Sequence, residues 1–210
     1  MCIPSYKIDD ITNLEYDVII STVILNDIKK PIVTINGIPD KRDKENINAF
    51  IKKLNIERNM IRTIKNTFSK QLFCRYEKKV KFNQVIEDLS HLLYEENVIL
   101  SEKQFVKSVI QREPLYPTKL CEGFMIPHPL QELSLKNAVA VAIVNEGLEN
   151  DDTMKVIFLL ALNSLDNKEI EIFFKLISLL TENFENLLLI SKSNENNLID
   201  NLIEIAERND

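Results

Sequence analysis

The apolar positions fall into two kinds of run. Near the N-terminus, Tyr16-Asp17-Val18-Ile19-Ile20-Ser21-Thr22-Val23-Ile24-Leu25 is almost continuous and rich in β-branched residues. Pro31-Ile32-Val33-Thr34-Ile35 is a second such run, stopped by Asn36-Gly37. Continuous rather than alternating apolar strands predict a parallel sheet covered on both faces. Residues 43–54 carry Ile47, Phe50, Ile51 and Leu54 at helical spacing. Two strands and one helix are too little for an independent α/β domain, so this piece is a fragment or packs on something else. Residues 56–79 are basic and free of Pro and Gly. Ile61, Ile64, Phe68 and Leu72 are three or four apart there, which predicts a helical connector.

From Val80 the pattern is cleaner. Phe82, Val85, Ile86, Leu89, Leu92 and Leu93 form one stripe of an amphipathic helix. A second helix is predicted to begin at Ser101, where Ser101-Glu102-Lys103-Gln104 has the capping-box form, and to end near Glu113 before Pro114. Its buried face is Phe105, Val106, Val109 and Ile110. Buried strands are predicted at 138–144 and 156–160, a helix through Ile170, Phe173, Phe174, Ile177 and Leu180, a short strand at Leu187-Leu188-Leu189-Ile190, and a closing helix through Leu198, Ile199, Leu202, Ile203 and Ala206. Strands alternate with helices, so the class is α/β.

Composition removes several functions. Against 32 acidic side chains stand 26 Lys and Arg, for a net charge of -6. A general grip on nucleic-acid phosphates needs clustered positive charge, so nucleic-acid binding by this chain is not expected. No apolar stretch approaches the roughly 18 residues of a membrane span, and the opening residues lack a signal-peptide layout. Only 3 Gly are present, at 37, 123 and 147, so there is no glycine-rich phosphate loop. The 3 cysteines, Cys2, Cys74 and Cys121, are dispersed and odd in number, which points to a reducing, cytoplasmic setting. With only 2 His, a zinc site is not expected.

Both histidines carry a reading. His91 falls opposite the apolar stripe of its helix and is expected to be a solvated surface residue. His128 stands in Gly123-Phe124-Met125-Ile126-Pro127-His128-Pro129. The two prolines hold it on stiff, extended backbone between a helix and a strand. Such an imidazole is largely neutral at pH 7 and can attack phosphorus or take a proton. On local sequence, a histidine that merely hydrogen-bonds a loop is equally open. Arg112 and Glu113 end the preceding helix and Thr118 follows. Arginine offers a planar fork of donors suited to phosphate, and a nearby cation favours the neutral imidazole. Threonine adds a hydroxyl donor. A solvated Arg112–Glu113 ion pair at the helix end is the plainer alternative.

Taken in order, Arg112-Glu113, Pro117-Thr118 and Gly123 to Pro129 resemble the core motif of fructose/mannitol-type enzyme IIA domains of the bacterial phosphoenolpyruvate-dependent sugar phosphotransferase system. The resemblance covers residues 80–208. It implies an α/β fold with a mixed sheet flanked by helices. It implies that His128 accepts a phosphoryl group from the carrier protein HPr, with Arg112 as phosphate-side partner and Thr118 and Glu113 in support. It implies neither metal nor nucleotide, hence no cofactor. Transport-type members commonly carry a second active-site histidine where this chain has Glu169. A carboxylate there would repel a phosphoryl group, which argues against efficient onward transfer and costs a sensing role less.

Residues 3–54 are similar to the latter half of a galactitol-type enzyme IIB domain, without its first strand and phosphocysteine loop. Cys2 does not occupy that loop and reads as a spare thiol. The implied organisation is a partial IIB-like segment over 1–56, a helical connector over 57–79 and an IIA-like domain over 80–210. This order, and the form Ile126 to Leu130, resemble the C-terminal part of transcriptional activators and antiterminators with phosphotransferase-regulation domains, the regulators of mannitol and lichenan operons among them. Met1 would then mark a truncated gene start or the start of an excised piece. Three functions stay open. One is a regulatory domain whose partners are HPr and the regulator's other domains. The second is a transport IIA component passing phosphate to a IIB protein. The third is a module that is never phosphorylated.

Overall fold

The computed structural model describes residues 16–25, 28, 30–163 and 167–208. The chain divides into two compact units, Met1–Ile56 and Glu57–Asp210. In the first, β1 (Ile19–Ser21) and β2 (Ile32–Thr34) pair in parallel, with Ile19 opposite Ile32 and Ser21 opposite Thr34. The parallel pairing follows the sequence reading, but burial on both faces does not. The strands are three residues each, and Ile20 and Ile24 are 48% and 82% exposed. Two short strands have too little surface to enclose both of their own faces. Cys2 and residues 3–15 of the IIB-like reading lie outside the described residues.

Helix α1 (Lys41–Thr67) runs through the unit boundary without a break. Its start is fixed by Asp40, whose carboxylate accepts the N–H groups of Arg42 (2.7 Å) and Asp43 (2.9 Å), while Asp43 returns the bond to Asp40 N–H. The predicted connector is corrected here. Only its first half is helix, because Phe68–Tyr76 form β3, a strand of the main sheet. A spacing of four places residues on one face of a helix and equally on one face of a strand, so Ile64, Phe68 and Leu72 fit either.

The second unit is built on five strands in the order β3-β6-β7-β5-β4. The others are β4 (Lys119–Cys121), β5 (Phe124–Met125), β6 (Ala138–Val144) and β7 (Val156–Ala161). Pairing is parallel for β3–β6 and β5–β7, and antiparallel for β6–β7 and β4–β5. The sheet is therefore mixed. Every residue of β6 and β7 is buried. One face, bearing Ala138, Ala140, Ala142, Ile157 and Leu159, packs with α2 (Phe82–Glu95) and α3 (Glu102–Arg112) through Val85, Ile86, Leu89, Leu93, Phe105 and Val109. On the other, Phe158 meets Phe68 and Phe124 edge to face, with ring centroids 5.4 and 5.1 Å apart. Phe68 also meets Phe173 of α4 (Asn167–Glu182).

Helix α5 (Phe184–Ser191) replaces the strand expected at 187–190. Asn183 caps it by accepting Glu185 N–H at 2.9 Å. Leu187 and Ile190, three apart, are buried while Leu188 is exposed. A four-residue apolar run cannot by itself distinguish the two periods. The closing helix, α6 (Leu198–Glu207), buries Leu198, Leu202, Ile205 and Ala206.

Candidate functional site

The segment carrying His128 leaves the C-terminal end of β5, and its backbone is tied before the histidine is reached. Ile126 N–H donates to Thr118 O (3.1 Å), and Leu160 N–H donates to Pro127 O (2.8 Å). Gly123 opens the segment in the left-handed region (φ +85°), and its carbonyl accepts from both Lys155 and Val156. Leu130 N–H, just past Pro129, donates to Ser108 Oγ on α3 at 2.9 Å.

His128 is partly buried, with Nδ1 2.9 Å from Ile126 O. A carbonyl can only accept, so Nδ1 carries the hydrogen. In the neutral ring Nε2 then keeps its lone pair. Burial holds the pKa of His128 below its ordinary 6.5, and the positive charge of Arg112 adds to this. The bond to the Ile126 carbonyl and the charge of Glu113 oppose it.

Arg112 and Glu113 stand at the end of α3, their charges act on this ring, and they do not act as a simple ion pair. Arg112 Nη1 donates to Tyr116 O at 2.7 Å, and the guanidinium stands 5.9 Å from the Tyr116 ring centroid. Four of its five N–H donors are not used by that bond. Glu113 turns to Thr118, accepting the backbone N–H at 2.9 Å and the hydroxyl at 2.6 Å. Thr118 is 4% exposed. Its hydroxyl hydrogen points to Glu113 rather than outward, unlike the donor expected from the sequence.

Glu169 lies in the first turn of α4. Its carboxylate accepts from Asn137 Nδ2 (2.7 Å) and Asn66 Nδ2 (3.3 Å). Asn163 N–H in turn donates to Asn137 Oδ1. Strand order sets Thr118 before β4, His128 after β5, Glu169 after β7 and Asn137 before β6, all at one end of the sheet. In α/β sheets, ligands collect at the carboxyl ends of strands. His91 is exposed on α2, as its spacing predicted, and bonds Glu102 at 3.0 Å, which raises its pKa. Among the described residues no cluster of three or more His, Cys, Asp or Glu is placed to hold a metal ion. Neither described thiol is activated: burial pushes Cys74 up to about 11 and raises Cys121.

Sequence reasoning missed Ser108, Tyr116, Asn66 and Asn137. Ser108 had a signal, since it stands one turn before Arg112 on the same helix face. Tyr116 acts through its carbonyl and the asparagines through long-range contacts, which no spacing reveals.

Among the described residues no helix is long and apolar enough to cross a membrane. In Bacillus subtilis, transcriptional regulator ManR is 24% identical over 173 residues. The match takes in 80% of this chain and 26% of ManR, so the chain spans about a quarter of that relative's length. Among solved structures, the mannitol-specific cryptic enzyme IIA CmtB of Escherichia coli matches with a TM-score of 0.55 at 17% identity, covering 68% of this chain and 99% of CmtB. The nitrogen regulatory protein IIA-Ntr of Neisseria meningitidis gives 0.52 at 19%, covering 64% and 95%. The Escherichia coli mannitol enzyme IIA, solved in complex with phosphorylated mannitol enzyme IIB, gives 0.50 at 20%, covering 65% and 94%. These share the mixed α/β fold. The family model for the phosphoenolpyruvate-dependent sugar phosphotransferase system, EIIA 2, matches residues 66–205, well over half of the chain, and the protein belongs to that family.

Proposed function

We propose that this chain is the phosphoryl-accepting, sensing part of a sugar-operon transcriptional regulator, with His128 as the acceptor and phospho-HPr as the donor. The observation that carries this is the ring orientation: Nδ1 is engaged by Ile126 O at 2.9 Å, which leaves Nε2 as the nucleophile. The depressed pKa keeps that lone pair available at neutral pH. The likeness to ManR supports the regulatory setting.

In the reaction, Nε2 attacks the phosphorus in line. A P–N bond forms at His128 as the donor's bond to phosphorus breaks. Transfer of this kind needs mostly positioning and charge stabilisation. Arg112 supplies the charge through N–H groups not committed to Tyr116. Thr118 and Glu113 serve indirectly, by pinning the end of α3 to the start of β4. A phosphoryl group adds a charge of about -2 at the sheet end, and that charge alters packing against the regulator's other domains. Residues 1–56 fit a partial IIB-like segment and the remainder the IIA-like domain, working in a cytoplasmic protein.

The test is incubation with phosphoenolpyruvate, enzyme I and HPr, read by intact mass. One phosphoryl group is expected on the wild type and on His91→Ala, and none on His128→Ala. No uptake by the wild type from several HPr proteins overturns the reading. Rapid loss of the label to a IIB protein would instead favour a transport component.

A further inference from the structure

We infer that Ser108 is a positioning residue for His128: its hydroxyl is the side-chain anchor that fixes the backbone on the downstream side of the histidine. The inference rests on the reading of His128 as phosphoryl acceptor and extends it to a residue outside the motif.

The argument is one of main-chain donors. Pro127 and Pro129 have no N–H, so the first backbone donor after His128 is Leu130. Upstream, the main chain is tied to neighbouring main chain, through Ile126 N–H to Thr118 O and Leu160 N–H to Pro127 O. Downstream, Leu130 N–H goes to a side chain, Ser108 Oγ, at 2.9 Å. Proline stiffness restricts φ of residues 127 and 129, and Pro129 keeps ψ of His128 extended, but the stiff stretch still has to be fastened to the fold beyond Pro129. The bond from Leu130 N–H to Ser108 Oγ fastens it. It also joins the loop to the helix that presents Arg112 one turn later, so ring and guanidinium share one support.

Serine accepts here while keeping a hydrogen of its own. Threonine at the same position keeps the acceptor, whereas alanine removes it and is the better helix former. Ser108→Ala therefore isolates the hydrogen bond without opposing the helix.

The experiment uses the full chain as Ser108→Ala and Ser108→Thr, with two readouts. The first is the initial rate of phosphoryl uptake from phospho-HPr. The second is the 15N shifts of the His128 ring, which report which nitrogen bears the proton. Ser108→Ala is expected to slow uptake by roughly tenfold or more, as misplacement of a reacting group does. It should also turn the single Nδ1–H tautomer into a mixture, with the thermal midpoint close to wild type. Ser108→Thr should restore rate and tautomer. Wild-type rate and tautomer in Ser108→Ala overturn the inference. So does a failed rescue by threonine in a folded protein. If the wild type takes up no phosphoryl group, the functional reading falls, and the tautomer readout still decides whether Ser108 sets the ring.

Discussion

The carboxylate of Glu113 takes both polar hydrogens of Thr118, the backbone N–H on one oxygen at 2.9 Å and the hydroxyl on the other at 2.6 Å. A bidentate bond of this kind closes the α3–β4 turn. Thr118→Val removes the hydroxyl and leaves one carboxylate oxygen without its partner. Loss of about 1–3 kcal/mol is expected in urea unfolding, with Thr118→Ser close to wild type. A direct role at phosphorus predicts the opposite pattern, slower uptake at unchanged stability.

The charge of Arg112 acts on His128, yet its guanidinium bonds Tyr116 O. Arg112→Ala should fold and still take up phosphate, at a rate lower by on the order of a hundredfold. Arg112→Lys should recover little, since a point charge does not reproduce the fork. Labelling at wild-type rate would remove Arg112 from the reaction.

The two histidines titrate on opposite sides of 6.5. His128 is held low by burial and Arg112, whereas His91 is raised by Glu102. Folding therefore gains nothing from His128 protonation. In the window just below pH 6.5 the unfolded chain takes the proton first, so stability falls with pH there, down to the folded pKa. Uptake should fall to half its plateau rate below pH 6.5, not at or above it. NMR titration of the two rings checks both directions. An acid limb for uptake above 6.5 would contradict the assignment.

Glu169, tied to Asn137 and Asn66, is a fixed negative charge at the same sheet end as His128. Glu169→His should speed the chase of label from His128 to a IIB protein if that charge is the obstacle. Unchanged transfer places the obstacle elsewhere. Glu169→Gln separates charge from shape.

Gly147 has φ +89°, and a Cβ there would lie 2.6 Å from the carbonyl oxygen of Asp152. Gly147→Ala is expected to lose about 1–3 kcal/mol from backbone strain alone, with further loss from the clash. Urea unfolding measures it. A neutral result would mean the 147–152 turn relaxes.

What the sequence disclosed was whatever had length and a single period. Helices α2 and α3 were readable because Val85, Ile86, Leu89 and Leu93, then Phe105, Val106, Val109 and Ile110, fit only a helix. Strands β6 and β7 stood out as unbroken apolar runs. By contrast β3 was hidden, because Ile64, Phe68 and Leu72 satisfy both periods and directly continue a helix. Strand β5 is two residues long and β4 three, too short to show any period. At the candidate site, His128 and Arg112 stand out in the sequence by residue type and Pro context. The bonds from Thr118 to Glu113 were not legible, because they join a helix end to a strand start across a turn that no spacing specifies.

The place of β3 has a practical consequence for anyone preparing this domain alone. A cut at residue 80, where the helical periodicity becomes clean, would discard the outermost strand of the sheet. The N–H and C=O groups of β6 that now meet Phe73 to Tyr76 would face water along an edge of Ala138 to Val144. Such an edge is a template for chain-to-chain pairing. A piece begun before Phe68 should stay monodisperse, and one begun at Val80 should precipitate.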